Sequence, residues 1–303
     1  MRKSLQLQAE MLDEFGACVF DVTLDCEDGA PAGGEADHAA MVVELAAEAS
    51  RQSGGRARVA VRVHSVDHPS FEADMATVAG QAGQHLCHIM VPKVESVRDI
   101  DFAEQALLAA SAGHLPLHVL IESPAAVHQA FDIAAHARVQ SISFGLMDFV
   151  SSHGGAIPAS GMSSQGQFAH PLVVRAKLEI ASACHAHGKT PSHCVVTEFT
   201  DLDALAVAAR QAAHQLGYTR MWSIHPSQIR PILAAFSPTE GEIENATKII
   251  AAAEAAQWAP IGFDGKLHDR ASYRYFWQVL VRAHQTGCVL PAESQRYFAA
   301  APH

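Results

Sequence analysis

The sequence predicts an α/β fold built as a (β/α)8 TIM barrel, followed by a C-terminal helical extension. Three observations predict it. Short apolar, β-branched runs alternate with helical patterns at a spacing of about 25–35 residues, the rhythm of βαβ units. The runs are apolar inside and nearly all finish on an ionisable residue. The chain has 303 residues, 49% of them hydrophobic, enough for one barrel of ~250 residues with length to spare. An open doubly wound sheet is the alternative, but it wants a glycine-rich phosphate loop after its first strand, and no G-x-G-x-x-G is present.

The elements follow in order. Residues 4–15 read as a helix with Leu5, Leu7, Met11 and Leu12 on its apolar side, stopped by Gly16. The first strand, 18–24, runs into the acids Asp25, Glu27 and Asp28. A helix over 35–51 leads to a strand at 59–64, a helix over 70–82 to a strand at 87–91, and a helix over 96–112 to a strand at 117–121. Ser123-Pro124 then opens another helix, with Ser as N-cap and Pro at the first helical position. The strand at 141–145 is followed by a long Gly/Ser loop over 151–169, a length that usually signals function. A helix over 171–187 precedes a strand at 193–197. A helix from Thr200, with Thr200 and Asp203 as a capping box, precedes a strand at 221–224. Ser237 and Glu240 suggest a further capping box and a helix to about Gln257. A loop around Asp264-Gly265-Lys266 and an amphipathic segment from Arg270 to Ala283 complete the chain. Seven strands are legible, so the eighth is either missing or unrecognised. The division is a barrel over 1–236 and an extension over 237–303.

Composition narrows the partners. Lys and Arg total 21 against 32 acids, a net charge of −11, and no basic block exists to neutralise phosphates, which argues against nucleic acid. No apolar run reaches the ~18 residues of a membrane span. The six cysteines form no C-x-x-C and mostly sit in apolar runs, as buried free thiols of a reducing, cytoplasmic compartment would. Neither H-E-x-x-H nor a Cys/His zinc spacing occurs among the 19 histidines.

The chemistry gathers where strands end, the face that carries active sites in barrels. Asp25, Glu27, Asp28, Arg62, Lys93, Glu122, Asp148, Glu198 and His225 all lie there. Glu122 and Asp148 close two successive strands, so their carboxylates can converge on one hard cation. Read singly, Glu122 is equally a helix cap and Asp148 a loop anchor.

The same residues resemble the HpcH/HpaI aldolase–citrate lyase β-subunit superfamily, which includes malyl-CoA and citramalyl-CoA lyases. Seven motifs carry the resemblance, collinear from about residue 17 to 285: Leu24-Asp25-Cys26-Glu27-Asp28, Arg62-Val63-His64, Pro92-Lys93-Val94-Glu95, Ile121-Glu122-Ser123, Phe144-Gly145-x-x-Asp148, Ile224-His225-Pro226-x-Gln228, and Asp264-Gly265-x-x-x-Asp269. Departures fall on the active face. His64 stands for Asn, Met147 precedes Asp148, Ser152-His153-Gly154-Gly155 replaces Asp-Leu-Gly, and His193 stands where an acid is common. The family's opening strand, with its Val-Pro-Gly end and the basic residues that help hold coenzyme A, has no match.

The resemblance implies a homo-oligomeric, trimeric or hexameric enzyme with Mg²⁺ (Mn²⁺ as the alternative) on Glu122 and Asp148, and Glu122 also beside the substrate. Arg62 would bind a substrate carboxylate and stabilise a developing enolate. Asp25, Glu27, Asp28 and Lys93 would support that set from behind, with Lys93 as an ion-pair partner rather than a Schiff base. Asp269 would act from a neighbouring subunit. The implied reaction is carbon–carbon cleavage of a carboxylated 3-hydroxyacyl-CoA. The alternatives are aldol cleavage of a free 4-hydroxy-2-oxo acid giving pyruvate, and a barrel subunit without activity.

Overall fold

Seven parallel strands lie side by side in the order of the chain: β1 (Val22–Asp25), β2 (Val59–Arg62), β3 (Leu86–Val91), β4 (Leu117–Ile121), β5 (Val139–Phe144), β6 (Thr190–His193) and β7 (Arg220–Met221). This is a computed structural model, and it describes residues 1–29 and 33–298. Helices α1 (Arg2–Phe15), α2 (Glu35–Gln52), α3 (Phe71–Asp74), α4 (Gly80–Ala82), α5 (Val97–Ala109), α6 (Pro124–His128), α7 (Ala130–Ala135), α8 (Leu146–Ser151), α9 (Pro171–Ala186), α10 (Leu202–Gln215) and α11 (Ile229–Phe236) accompany the strands. After them come α12 (Glu240–Ala255), the hairpin β8 (Ile261–Phe263) and β9 (Lys266–His268), α13 (Arg270–Gln285) and α14 (Ala292–Gln295).

Alternation along each strand sorts the two faces of the sheet. Val22, Leu24, Val59, Val61, Ile89, Val91, Leu117, Val119, Ile121, Ile142 and Phe144 join the helix-side core and are nearly all inaccessible. The residues between them, among them Thr23, Asp25, Ala60, Arg62, His88, Met90, His118, Leu120 and Glu122, face the other way. The sheet curls until its two edges approach. Asp21, just before β1, accepts from Arg58 at 2.6 Å and pairs with Arg220 of β7 at 2.9 Å. At the opposite rim the Arg62 guanidinium lies 5.8 Å from the Trp222 ring.

Between those two clasps β1 and β7 are not hydrogen-bonded to each other, and a cavity of ≈ 1430 Å³ opens between them and into the sheet's concave side. The described residues contain no eighth strand of this sheet. His88 and His118 fill part of the concave side as a fully buried stack with ring centroids 3.4 Å apart. Burial, with Arg220 adding to it, drives His118 down to about 3, and burial and His118 drive His88 down too, so both rings are neutral.

Several boundaries differ from the sequence reading. The sixth strand is Thr190–His193, not 193–197, because Thr-Pro-Ser-His gives no β signal while the β-branched Cys-Val-Val-Thr after it has already left the sheet. Helix α10 is capped by Asp201, which accepts from Ala204 N, rather than by Thr200. Helix α12 is capped by a Thr239–Glu242 box rather than from Ser237. The stretch around Asp264-Gly265 is a two-residue hairpin turn with both residues at positive φ, 49° and 72°, the conformation that favours Asp-Gly there. The last segments have an apolar cluster of their own, centred on Ile243, Ile250, Tyr273, Leu280 and Leu290.

Candidate active site

The register of β1 on β2 places Asp25 directly opposite Arg62. The pair is a fork, Nε to Oδ1 at 2.8 Å and Nη2 to Oδ2 at 2.7 Å. Glu27 takes Nη1 at 2.7 Å and Asp28 takes Nη2 at 3.0 Å. Burial alone would lower the Arg62 pKa, but the hydrogen bond to Asp25 and the charges of Asp25, Glu27 and Asp28 raise it. Three acids therefore orient a permanent cation, and Nη1, which meets Glu27 as an ion pair only, keeps a hydrogen for anything that enters. Glu27 also bonds Lys93 Nζ at 2.7 Å. That bond, against some burial, holds the Lys93 ammonium above its usual range, the wrong direction for an amine nucleophile.

Glu122 follows β4 on the inward side and is 7% exposed. Its Oε2 accepts from Lys93 N at 3.1 Å. Lys93 reaches this position with φ of 52°, a left-handed conformation that is strained for a residue with a side chain. On the other side Glu122 lies flat over Gly145, where an added Cβ would stand 2.3 Å from Glu122 Oε1. The glycine two residues into the Phe144–Asp148 motif is thus a socket for the carboxylate. Asp148 lies beyond it in the first turn of α8, exposed.

Burial first, then the charges of Asp148 and Glu27, push the Glu122 carboxyl up to about 7, against a smaller pull from Lys93. This is the mark of a carboxylate without its counter-ion. Glu122 Oε1 has no hydrogen-bond donor among the described residues, Asp148 adds exposed oxygens beside it, and the nearest ammonium is already engaged with Glu27. An all-oxygen donor set left in this condition suits a hard divalent cation.

The other residues singled out fall elsewhere. Asp269 caps α13, accepting from Ala271 N and Ser272 N, and its hydrogen bonds stay within its own helix. Glu198 receives Ser164 N at 2.8 Å and anchors the 151–169 loop. His225 caps the turn after β7 with Nδ1 2.7 Å from Ser227 Oγ. Gln228 of the same motif is fully buried and ties that turn to Val196 O. His193 is buried and neutral, stacked on Phe168 at 5.3 Å.

Two compact groups of donor side chains escaped the sequence reading, Asp21–Cys87–His88 and Asp101–Glu104–His136. Both lie away from the rim, and arginines hold an acid in each, Asp21 by Arg58 and Arg220 and Glu104 by Arg138. Only Asp21 had a signal, standing at i, i+2 and i+4 with Thr23 and Asp25 on one strand face.

Comparison with known proteins gives the family. Residues 5–226 match the HpcH/HpaI aldolase/citrate lyase family, and the chain belongs to that family. It is accordingly an enzyme of the carbon–carbon lyase class. It is 31% identical over 292 residues, 90% of each chain, to an L-malyl-CoA/beta-methylmalyl-CoA lyase of Cereibacter sphaeroides. A (3S)-malyl-CoA thioesterase of the same species is 29% identical over 88% of each chain. Among solved structures, a citrate lyase from Burkholderia xenovorans LB400 is 46% identical, with a TM-score of 0.81 covering 96% of this chain and 91% of the other. CitE of Mycobacterium tuberculosis in complex with magnesium, acetoacetate and coenzyme A shares the fold at 23% identity and a TM-score of 0.64, over 91% and 94% of the two chains.

Proposed function

We propose that this protein is a Mg²⁺-dependent lyase that cleaves a carboxylated 3-hydroxyacyl-CoA by retro-aldol or retro-Claisen chemistry. The observation that carries the reading is Glu122: a buried carboxylate pushed up to about 7, seated on Gly145 beside Asp148, two strands along the sheet from a triply anchored arginine. Glu122 and Asp148 would hold Mg²⁺, with Mn²⁺ able to replace it in the same oxygen set. Bound there, the ion would polarise the carbonyl oxygen that forms on cleavage. The names of the curated relatives, lyases and a thioesterase of malyl-CoA, support an acyl-CoA substrate over a free oxo acid.

The chain's own side chains would do the rest. The free Nη1 hydrogen of Arg62 is poised for the enolate oxygen of the departing acyl fragment, and the acids behind it keep the guanidinium from turning. Asp25, Glu27 and Asp28 set that orientation, and Lys93 keeps Glu27 from drifting toward Glu122. The titratable groups around Glu122, namely Asp148, Glu27 and Lys93, already have roles in holding the metal or Arg62, while Asp269 stands exposed at the start of α13 on a unit with its own core. We assign that unit, 237–303, to docking on a second copy and Asp269 to acid/base work there, so that the working enzyme is a homo-oligomer. We further read the sheet as a barrel whose eighth place lies in the gap between β1 and β7.

The test is a panel of malyl-CoA, methylmalyl-CoA, citramalyl-CoA and free 4-hydroxy-2-oxo acids, scored for release of the oxo acid and the acyl-CoA. Cleavage of a CoA ester that stops with chelator supports the reading. Turnover of the free acids alone reassigns the enzyme as an aldolase, and CoA release without carbon–carbon cleavage reassigns it as a thioesterase. Mixing inactive Asp269→Asn with inactive Glu122→Gln should restore activity if Asp269 serves a neighbour's site, and mixtures that stay dead would place it in its own.

A further inference from the structure

Between α9 and the end of β6 lies a buried cluster of polar side chains that the chemistry above does not use. Lys177 points into it from the buried face of α9 and is 0% exposed. Its charge faces no carboxylate among the described residues. Nζ donates to Gln167 Oε1 at 2.7 Å and sits 4.1 Å from the centroid of the Phe168 ring. The Cys194 thiol, equally buried, donates to the same Gln167 oxygen at 3.1 Å. Gln167 is itself fully buried, and its Nε2 has no partner. Neutral His193, stacked on Phe168, and Tyr218 complete the cluster.

A lysine in such a place loses its usual charge preference. Burial lowers Lys177 to about 8, with Cys194 pulling the other way. Burial also pushes the Cys194 thiol up. Near neutral pH the cluster therefore holds an amine with an accessible lone-pair form beside an intact thiol, both hung on one oxygen. Cys26 is as buried but has the carboxylates of Asp74 and Asp25 for company, not an amine.

We propose that Lys177 and Cys194 form a covalent modification site, closing into a lysine–oxygen–cysteine bridge in the presence of dioxygen. The S–H bond and one N–H bond break, an S–O and an O–N bond form, and the second oxygen atom leaves as water. Sulfur and nitrogen each give up two electrons, and dioxygen accepts the four. Dioxygen is small and apolar enough to reach a buried cluster that excludes charged oxidants. Gln167 acts as the template, holding both reactants on Oε1. Its unpartnered Nε2 is a donor that the bridging oxygen would satisfy. The bridge would bolt α9 to the end of β6 and fix the 151–169 loop through Gln167.

The experiment is peptide mapping by mass spectrometry of the full chain, one half held in air and the other under argon with dithiothreitol. The expected result is a pair of peptides containing Lys177 and Cys194, joined only in the aerobic half. The joined pair should carry one oxygen more and two hydrogens fewer than the separate peptides, and a reductant should separate it. Cys194→Ser, a near-isosteric change, should fold and lose the joined pair. Unjoined peptides after exposure to air would overturn the proposal. So would oxygen carried by Cys194 alone, or a pair joined with loss of two hydrogens and no gain of oxygen. The result is independent of the lyase reading, since no substrate or metal enters it.

Discussion

Glu122→Gln turns the electrostatics of the site into a measurable stability. The Glu122 carboxyl moves from 4.5 to about 7 on folding, so the folded protein holds a proton that the unfolded chain releases earlier. That favours folding fully only below pH 4.5. As the pH rises through the interval the contribution is lost. Above 7 the ionised, buried carboxylate costs up to about 3 kcal/mol, since each tenfold change in proton affinity is worth about 1.4 kcal/mol. Glutamine cannot ionise, and its side-chain oxygen can still accept from Lys93 N. With chelator present at pH 8 the variant should therefore be the more stable protein, by up to about 3 kcal/mol, and the two should converge toward pH 5. Adding Mg²⁺ should close most of that gap. Wild type should gain about 2.7 kcal/mol at a hundredfold excess over Kd, and the variant nothing. Thermal and denaturant unfolding at both pH values, with and without metal, reads all of these. A variant that is less stable than wild type at pH 8 in chelator, or that gains as much from Mg²⁺, would refute the placement of the ion on Glu122.

Other perturbations follow from single contacts. Gly145→Ala puts a methyl group 2.3 Å from Glu122 Oε1, so it should displace that carboxylate, cost about 1–3 kcal/mol and abolish the stabilisation by Mg²⁺ seen in calorimetry. Asp21→Asn leaves Arg58 and Arg220 without their shared acid and should cost about 2–3 kcal/mol in urea unfolding. Burial opposes ionisation of Asp21, but Arg220 and Arg58 hold it well below its ordinary value, so wild type should keep its advantage at neutral pH and lose it only as the pH falls below about 4. Lys177→Met should be about 1–2 kcal/mol more stable than wild type at pH 7, once the lost bond to Gln167 is set against the removed burial cost. Since Lys177 is lowered from 10.5 to about 8, wild type recovers as the pH rises through that interval, and the advantage of the variant should fade there.

Five of the seven strands, and the placement of the two carboxylates and the arginine at strand ends, were legible because each follows from a local pattern: an apolar run, an ionisable residue at its end, a turn signal after it; the expected strand at 221–224 shares only Met221 with β7. The role of Gly145 was not legible, because it depends on where a residue 23 positions earlier lays its side chain. The forked hold of Asp25 on Arg62 depends on a register between two strands that only the sheet fixes. The sixth strand hid because Pro191 and Ser192 are held by burial beside Ile142 and Ser143 of β5, on opposite faces of the sheet, not by β propensity. The hairpin at 261–268 was signalled by Asp264-Gly265, but its flanks of three residues each are too short for alternation to show. Lys177 reads as an ordinary polar position in a helix. Only the packing of the 151–169 loop over α9 buries it.

The unzipped border between β1 and β7 bears on how the molecule breathes. Amides on the outward margins of these two strands have no neighbouring ladder in this sheet, so they should exchange with solvent deuterium far sooner than those of β3 to β5. The ion trio at one end and the guanidinium–indole contact at the other then behave like the clasps of an open book. Any extended stretch of polypeptide laid along the spine would gain two ladders at once, and the slowing of exchange on both margins would report its arrival.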